Sequence, residues 1–415
     1  MDNVTHSLAG LLLAECAVRL RARATGVEPA TCIRAAAAVA SVIAANLPDA
    51  DLFYTGAGGD RLTYMLHHRG YTHTVIGVLI GAALVWGAVL LALRWRSRGW
   101  AARADVLWLL TLLVVSTSSH LVLDWTNSYG VHPFWPVDDR WRYGDSVFIV
   151  EPWLWVVSVP ALVVASGSRV VRVLLSLLLL AGLALAWRVD LVSEGAAAAL
   201  TAGAAASVAV AFLLRSTARV ATAVGGWLAV TLVMAMSSAK ARDSALRAVH
   251  ASDPNAEVLD LVVSPLPANA VCMAVITVER TGSSYRVVTA RVSAAPSITE
   301  ASRCGARSGA GVTFQASTRI STRAVQWDSE WSAPIAELAT LARESCPALA
   351  ALRFIRVPAW QHESADMVLL GDVRYGGGSG NSFSDVRVPV RSSVCPRALP
   401  SWTPPRAEIL GVAVR

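Results

Sequence analysis

Three of the chain's eight histidines fall within seven residues, His67-His68-Arg69-Gly70-Tyr71-Thr72-His73, directly before a long apolar run. Imidazoles grouped with carboxylates are donors for a divalent cation, and other segments supply the carboxylates. In SHLVLD, His120 and Asp124 are four apart, so on a helix they share a face and can hold one ion between them. In LPDAD, Pro48 ends the preceding helix, and Asp49 and Asp51 in extended chain can bridge two cations, or ligate one and orient a histidine. In HHRGYTH, Gly70 permits a tight turn, and Thr72 is placed to cap the next helix with His73 in its first turn. His6 stands near the start of the first apolar stretch. Such a mixed set suits zinc, manganese or iron better than calcium or magnesium, which prefer oxygen shells.

Taken singly, each feature has an ordinary explanation: an HxxxD pair hydrogen-bonds, PDAD ends a helix, His6 is interfacial, and His67 and His132 are exposed. What raises them above that is their placement by the elements around them. The 415 residues are 54% hydrophobic and only 16% charged, too apolar for an ordinary soluble chain. Apolar stretches near 4–20, 33–47, 75–93, 106–122, 150–166, 170–187, 196–214 and 220–237 give a working count of eight membrane helices. The first two are the least apolar and can be interfacial. No removable signal is expected, because Asp2 and His6 stand where positive charge would be.

Arginine marks alternate connections: Arg19, Arg21, Arg23 and Arg34; Arg94, Arg96, Arg98 and Arg103; Arg169 and Arg172; Arg215 and Arg219. These read as cytoplasmic, so the acid-rich connections, the N-terminus and everything after about Ser238 fall outside. His6, Asp49, Asp51, His67, His68, His73, His120 and Asp124 then gather at one membrane face. Ionisable groups at membrane depth are costly and tend to mark function.

The set MDNVTHSLAG, LPDAD, HHRGYTH and HLVLDWTNSYG resembles the YdjM-like family of inner-membrane metal-dependent hydrolases, over roughly residues 1 to 160. That family is distantly similar to the zinc phospholipase C and single-strand nuclease superfamily. The resemblance implies that His6, Asp49, His68, His73, His120 and Asp124 are metal ligands or their close neighbours, with Asp51 a further ligand or catalytic group.

Water activation by one or two cations would suit a phosphoester, lipid or envelope-related. Arg69 is placed to fork onto phosphate oxygens, with a structural or headgroup contact as its alternative. Asn127 and Tyr129 are candidate substrate contacts, although NSYG is also good turn chemistry. The tryptophans Trp125, Trp135, Trp141, Trp153 and Trp155 read as an interfacial belt.

Three regions are expected: a metal-dependent hydrolase region over 1–160, additional transmembrane helices over 161–239, and an extracytoplasmic α+β domain over 240–415. The last is read from strand-like VCMAVITVER, SYRVVTARVS, MVLLGDVRY and DVRVPV, and from a helix in SEWSAPIAELATLARESCPALAAL with Ser332 near its cap and Pro334 in its first turn. GGGSGNS lacks the context of a phosphate-binding loop. Cys272, Cys304, Cys346 and Cys395 are an even set in a compartment that allows disulfides, with the pairing open. The expected partners are the lipid bilayer and a small-molecule or lipid phosphoester, not nucleic acid. A non-catalytic protein with a structural or sensory metal is the alternative, and a transporter the third reading.

Overall fold

The computed structural model describes residues 1–56, 60–97, 103–305 and 314–410; Arg98 lies outside them. The expected apolar stretches all become helices. They are α1 (Asn3–Thr25), α2 (Thr31–Asn46), short α3 (Asp51–Gly56) and α4 (Arg61–His67), α5 (Val75–Ser97), α6 (Arg103–Trp125), α7 (Pro152–Ala165), α8 (Arg169–Ala186), α9 (Glu194–Leu213) and α10 (Ser216–Ser252). Six segments among the described residues are long and apolar enough to cross a membrane, not eight. The α1 stretch carries Glu15 and three arginines, and α7 has only 14 residues.

Close approach sets the bundle. Gly10 of α1 sits against the Ser41 carbonyl of α2, so near that a Cβ would collide with it. The arginine-bearing ends also meet: Arg21 pairs with Asp105 and lies 4.9 Å over the Trp108 ring. The opposite ends carry the histidines and aspartates.

α10 runs unbroken for 37 residues, about 55 Å, out of the bundle and into the C-terminal half. The boundary expected at 240 therefore falls inside a helix. Ala241, Ala245 and Val249 of its outer portion pack on one face of a five-stranded antiparallel sheet, through Val263, Met273, Val275 and Val292. That sheet has the order β1 (Glu257–Leu266), β2 (Asn269–Thr281), β3 (Ser284–Ser293), β5 (Val325–Pro334), β4 (Gln315–Ala316). Its other face meets α11 (Ile335–Glu344), α12 (Cys346–Leu352), α13 (Ala407–Leu410) and a second sheet of β6 (Pro358–His362), β7 (Met367–Asp372) and β8 (Val386–Pro389). The expected helix start at Ser332 is overturned: Ser332 pairs with Arg286 across the sheet, and Pro334 is the residue before α11. Disulfides join Cys272 to Cys304 and Cys346 to Cys395.

The second core does not stop at the C-terminal half. It takes in Met65, Tyr129 and Trp141 from the bundle's loops. Arg356 is buried between Asp145 of a bundle loop and Asp260 of β1, 2.8 Å from each. The Trp141 indole donates to the Arg353 carbonyl, the Trp153 indole to the Ala268 carbonyl and the Trp155 indole to Thr5. The Trp135 indole donates to Ser401 at 3.2 Å, so four of the five expected belt tryptophans bind protein, and the C-terminal half docks directly on the bundle face that holds the polar cluster.

Candidate metal centre

Pro48 does end α2, but the chain then tightens into a 3-10 turn, Leu47–Ala50, instead of extending. That turn leads straight into α3 and aims Asp49 inward. The HHRGYTH segment closes through another such turn, Tyr71–His73, with Arg69 at φ 58°. Thr74, not Thr72, caps α5: its hydroxyl accepts from the Gly77 amide at 3.0 Å. The Thr72 hydroxyl instead donates to Asp51 Oδ2 at 2.9 Å.

Four donors from three elements converge. His73 Nε2 lies 3.4 Å from Asp49 Oδ1 and 3.2 Å from Asp124 Oδ2. His120 Nε2 lies 3.5 and 3.4 Å from the same two oxygens, and the two imidazole nitrogens are 3.0 Å apart. Donor atoms around a tetrahedral ion with bonds of about 2.0–2.1 Å stand about 3.3 Å from one another. Asp49, His73, His120 and Asp124 therefore can hold one ion between them. The i, i+4 reading of His120 and Asp124 on one face of α6 agrees with this geometry.

The surroundings orient these donors. His120 Nδ1 faces the Ala45 carbonyl at 2.7 Å, so this nitrogen carries the proton and leaves Nε2 bare. His73 Nδ1 faces Thr72 Oγ1 at 3.0 Å and Asp51 Oδ2 at 3.4 Å. Burial opposes a charge on His73, but the carboxylates of Asp124, Asp49 and Asp51 push its imidazole up to about 10. The field at this point favours a positive charge.

Asp49, Asp51 and His68 form a second group that shares Asp49 with the first. His68 Nδ1 is 2.9 Å from Asp51 Oδ1. Their side chains are 8–9% exposed, whereas those of His73, His120 and Asp124 are at most 1% exposed. This is the open edge of the centre.

His6 belongs to neither group. It stacks on His120 at 3.7 Å, with Nε2 3.4 Å from Asp124 Oδ1, and both of its ring nitrogens are buried without a hydrogen-bond partner. His67 stays outside, edge-on to Tyr54 at 5.7 Å. His132 is buried, not exposed, 3.9 Å from the Trp402 ring, and burial lowers its pKa to about 3.

Arg69 makes the structural contacts that stood as the alternative to a fork onto substrate. Its terminal nitrogens donate to Asp124 Oδ1 at 2.9 Å, to the Asp124 and Gly130 carbonyls at 3.3 Å and to Asn127 Oδ1 at 3.2 Å. The guanidinium also lies 4.4 Å over the Tyr129 ring. Its fork is spent on holding Asp124. Asp51 is similarly occupied, accepting from the Arg69 amide at 3.0 Å as well as from Thr72 and facing His68.

Yet Arg69 Nε, Asn127 Nδ2 and Tyr129 Oη are buried with no acceptor. Burial pushes the Tyr129 phenol well above its usual range, with Tyr64 and Tyr375 adding to the shift, so it remains a donor.

Every one of these donors lies in a segment with known relatives. Residues 1–192 match the YdjM inner membrane protein family. The YdjM match ends between α8 and α9, before the C-terminal half begins. The uncharacterized protein YfhP of Bacillus subtilis (strain 168) is 27% identical over 186 residues, 44% of this chain and 52% of that protein. The chain thus spans about half the length of that curated relative. No solved structure matches.

Sequence reasoning missed Thr74, Tyr64 and Tyr375. Tyr64, one helical turn before His68, was within reach of an i, i+4 argument. Nothing in the sequence ties Tyr375 to a site some 250 residues earlier.

Proposed function

We propose that this membrane protein is a metal-dependent hydrolase of phosphoesters, with its centre and C-terminal domain on the extracytoplasmic side. The observation that carries the reading is the convergence of Asp49, His73, His120 and Asp124, whose ligand atoms all lie within 4.8 Å of one another, adjoined by a second group of three donors. The donors fit the implied group: His120 presents a bare Nε2, Arg69 holds Asp124 Oδ1, and Asp124 Oδ2 is buried without a hydrogen bond. Arginines at the far helix ends and the two disulfides support the orientation.

A divalent cation, zinc or manganese by its ligand chemistry, would make water a usable nucleophile near neutral pH and polarise a phosphoryl oxygen. The protein's own part is positioning. Asp51 orients His73 and His68, Arg69 orients Asp124, and the unpaired donors of Arg69, Asn127 and Tyr129 await phosphate oxygens. Burial of the four-donor set excludes bulk water on that side and leaves the Asp49–Asp51–His68 edge for substrate.

One observation favours the competing reading of a structural or sensory metal. Four protein donors saturate a tetrahedral ion, which is the pattern of structural sites, while catalytic sites keep a position open. The shared Asp49 answers it, because the second group offers three donors that are less deeply buried than the first set. The deciding experiment pairs metal analysis of the purified protein with turnover of a phosphoester panel before and after chelation. Stoichiometric metal with turnover lost on chelation and restored by zinc or manganese is expected. Bound metal without metal-dependent turnover would overturn the hydrolase in favour of its competitor.

A further inference from the structure

Beside the open edge, aromatic rings from both halves of the chain meet. Tyr64 stacks on His68 with centroids 5.0 Å apart, and Tyr129 stands edge-on to His68 at 5.7 Å. From the C-terminal half, Tyr375 comes within 5.9 Å of Tyr129, and Phe383 within 4.7 Å of Tyr375 and 5.7 Å of Tyr64. The hydroxyls of Tyr129 and Tyr375 are both buried without a partner. Burial raises the Tyr375 phenol to about 12, so it too stays a donor. Two buried donors with nothing to accept from them are costly in a native fold unless a ligand satisfies them.

Tyr375 also walls a cavity of about 780 Å³ within the C-terminal half. Its lining sets the rings of Tyr375, Phe383 and Phe314 against the hydroxyls of Ser264, Thr289 and Ser329. The three charged groups there are paired, Arg291 with Asp328 and Arg374 with Asp372, each at 2.8 Å. Ser264 reaches back to Ser128 at 3.1 Å, in the loop that follows Asp124. Ring faces beside hydroxyls, with the charges paired, complement a neutral polyhydroxylated group: its C–H faces lie on the rings and its hydroxyls exchange hydrogen bonds with serine and threonine.

We propose that this cavity binds the polyhydroxylated headgroup, sugar-like in chemistry, of a phosphoester whose phosphate reaches the Tyr129 and Tyr375 hydroxyls. The C-terminal domain is then the specificity-determining part of the site, and Tyr375 touches substrate. The inference rests on the phosphoester reading above for the placement of the phosphate.

The test is equilibrium binding to the purified full-length protein, by titration calorimetry, of glucose 1-phosphate and of inorganic phosphate. Glucose 1-phosphate should bind at least about tenfold more tightly, the scale of a few added hydrogen bonds. Ala274→Phe, which narrows the cavity from β2, should erase that preference, and Tyr375→Phe should weaken glucose 1-phosphate by about tenfold. Phe383→Ala, on an exposed loop, replaces Ala274→Phe if the latter does not elute as a folded monodisperse species. Equal affinities, a preference that survives these changes, or no binding of either probe would overturn the proposal. Metal-dependent turnover without a sugar preference would sink this inference alone, and a cavity-dependent preference without turnover would sink only the hydrolase.

Discussion

At the scale of single residues, the distinction that matters is between groups that hold the ion and groups that hold the holders. Asp124 belongs to the first class, since its Oδ2 faces both His73 and His120 while Oδ1 takes Arg69. Asp124→Asn removes a charge from the ring of donors. It should abolish metal-dependent turnover and cut bound metal while leaving a folded membrane protein; unfolding would point to a structural ion. Arg69 belongs to the second class. Arg69→Lys loses the fork that ties Asp124 to Asn127, so metal affinity should fall about 10- to 100-fold, the usual effect of an outer partner. Metal titration by calorimetry checks this, and a rise in substrate KM at saturating metal with unchanged metal affinity would restore the substrate-clamp role. The donor types and their gathering at one end of the bundle were legible in the sequence, because arginine-bearing and acid-bearing connections alternate along the chain and i, i+4 spacing fixes a helix face. The division of labour was not, because Arg69 and Asp51 are assigned by contacts that spacing cannot show. His6 illustrates the limit: sequence placed it correctly at the face, and only coordinates show it stacked behind His120 instead of within either donor group.

At the scale of elements, the site depends on two irregular turns held by regular helices. The Tyr71–His73 turn rests on α5 at Gly77, where a Cβ would come 2.2 Å from the Tyr71 carbonyl oxygen and 2.9 Å from Thr72 Cα. No rotamer relieves a clash with backbone. Gly77→Ala should therefore push the turn away, carry His73 off the other donors, and cost of order 3 kcal/mol. Gly87 on the same helix has open space around its Cβ position, so Gly87→Ala is the control and should be neutral or slightly stabilising. Thermal unfolding in detergent together with metal content measures both; equal behaviour of the two variants would refute the argument. Helix positions were readable because eight apolar stretches each near a bilayer's width leave few alternatives. The 3-10 turns and the Thr74 cap were not, since Thr72 and Thr74 are equally good capping residues in sequence and only the route of the chain chooses. Ser332 was misplaced for a related reason: SEWSAP carries helix-start chemistry, but pairing along β3 outweighs that local preference.

At the scale of the whole molecule, the C-terminal half is a roof and not an appendage, and one buried acid stands at the joint. Glu151 precedes α7; its carboxylate accepts from the Trp153 amide at 3.2 Å and from the Ala268 amide of the C-terminal half at 3.3 Å. Burial raises its pKa from 4.5 to about 7, with no cation beside it to offset the cost of charge. Between those two values the folded protein holds a proton that the unfolded chain has released, so stability falls as pH rises through that window and the loss is complete above about 7. The whole contribution is of order 3 kcal/mol. A glutamine side chain mimics the protonated acid, so Glu151→Gln should remove this slope between about pH 5 and 8 and raise the unfolding temperature most at about pH 8. Sequence offered no reason to single out Glu151, since its isolation arises only when the β1–β2 turn closes over it from more than a hundred residues away. Because that same docking sets Tyr375 and Arg374 against Tyr129, ionising Glu151 should loosen the roof before it loosens the bundle. Hydrogen exchange at about pH 6 and about pH 8 separates the two. Once rates are divided by the intrinsic base-catalysed rate at each pH, a loss of protection at the higher pH confined to residues 264–270 and 372–385 in the native protein and absent in the Glu151→Gln variant is the expected pattern, whereas a uniform loss of protection across α1 to α6 would mean that the joint and the bundle open as one.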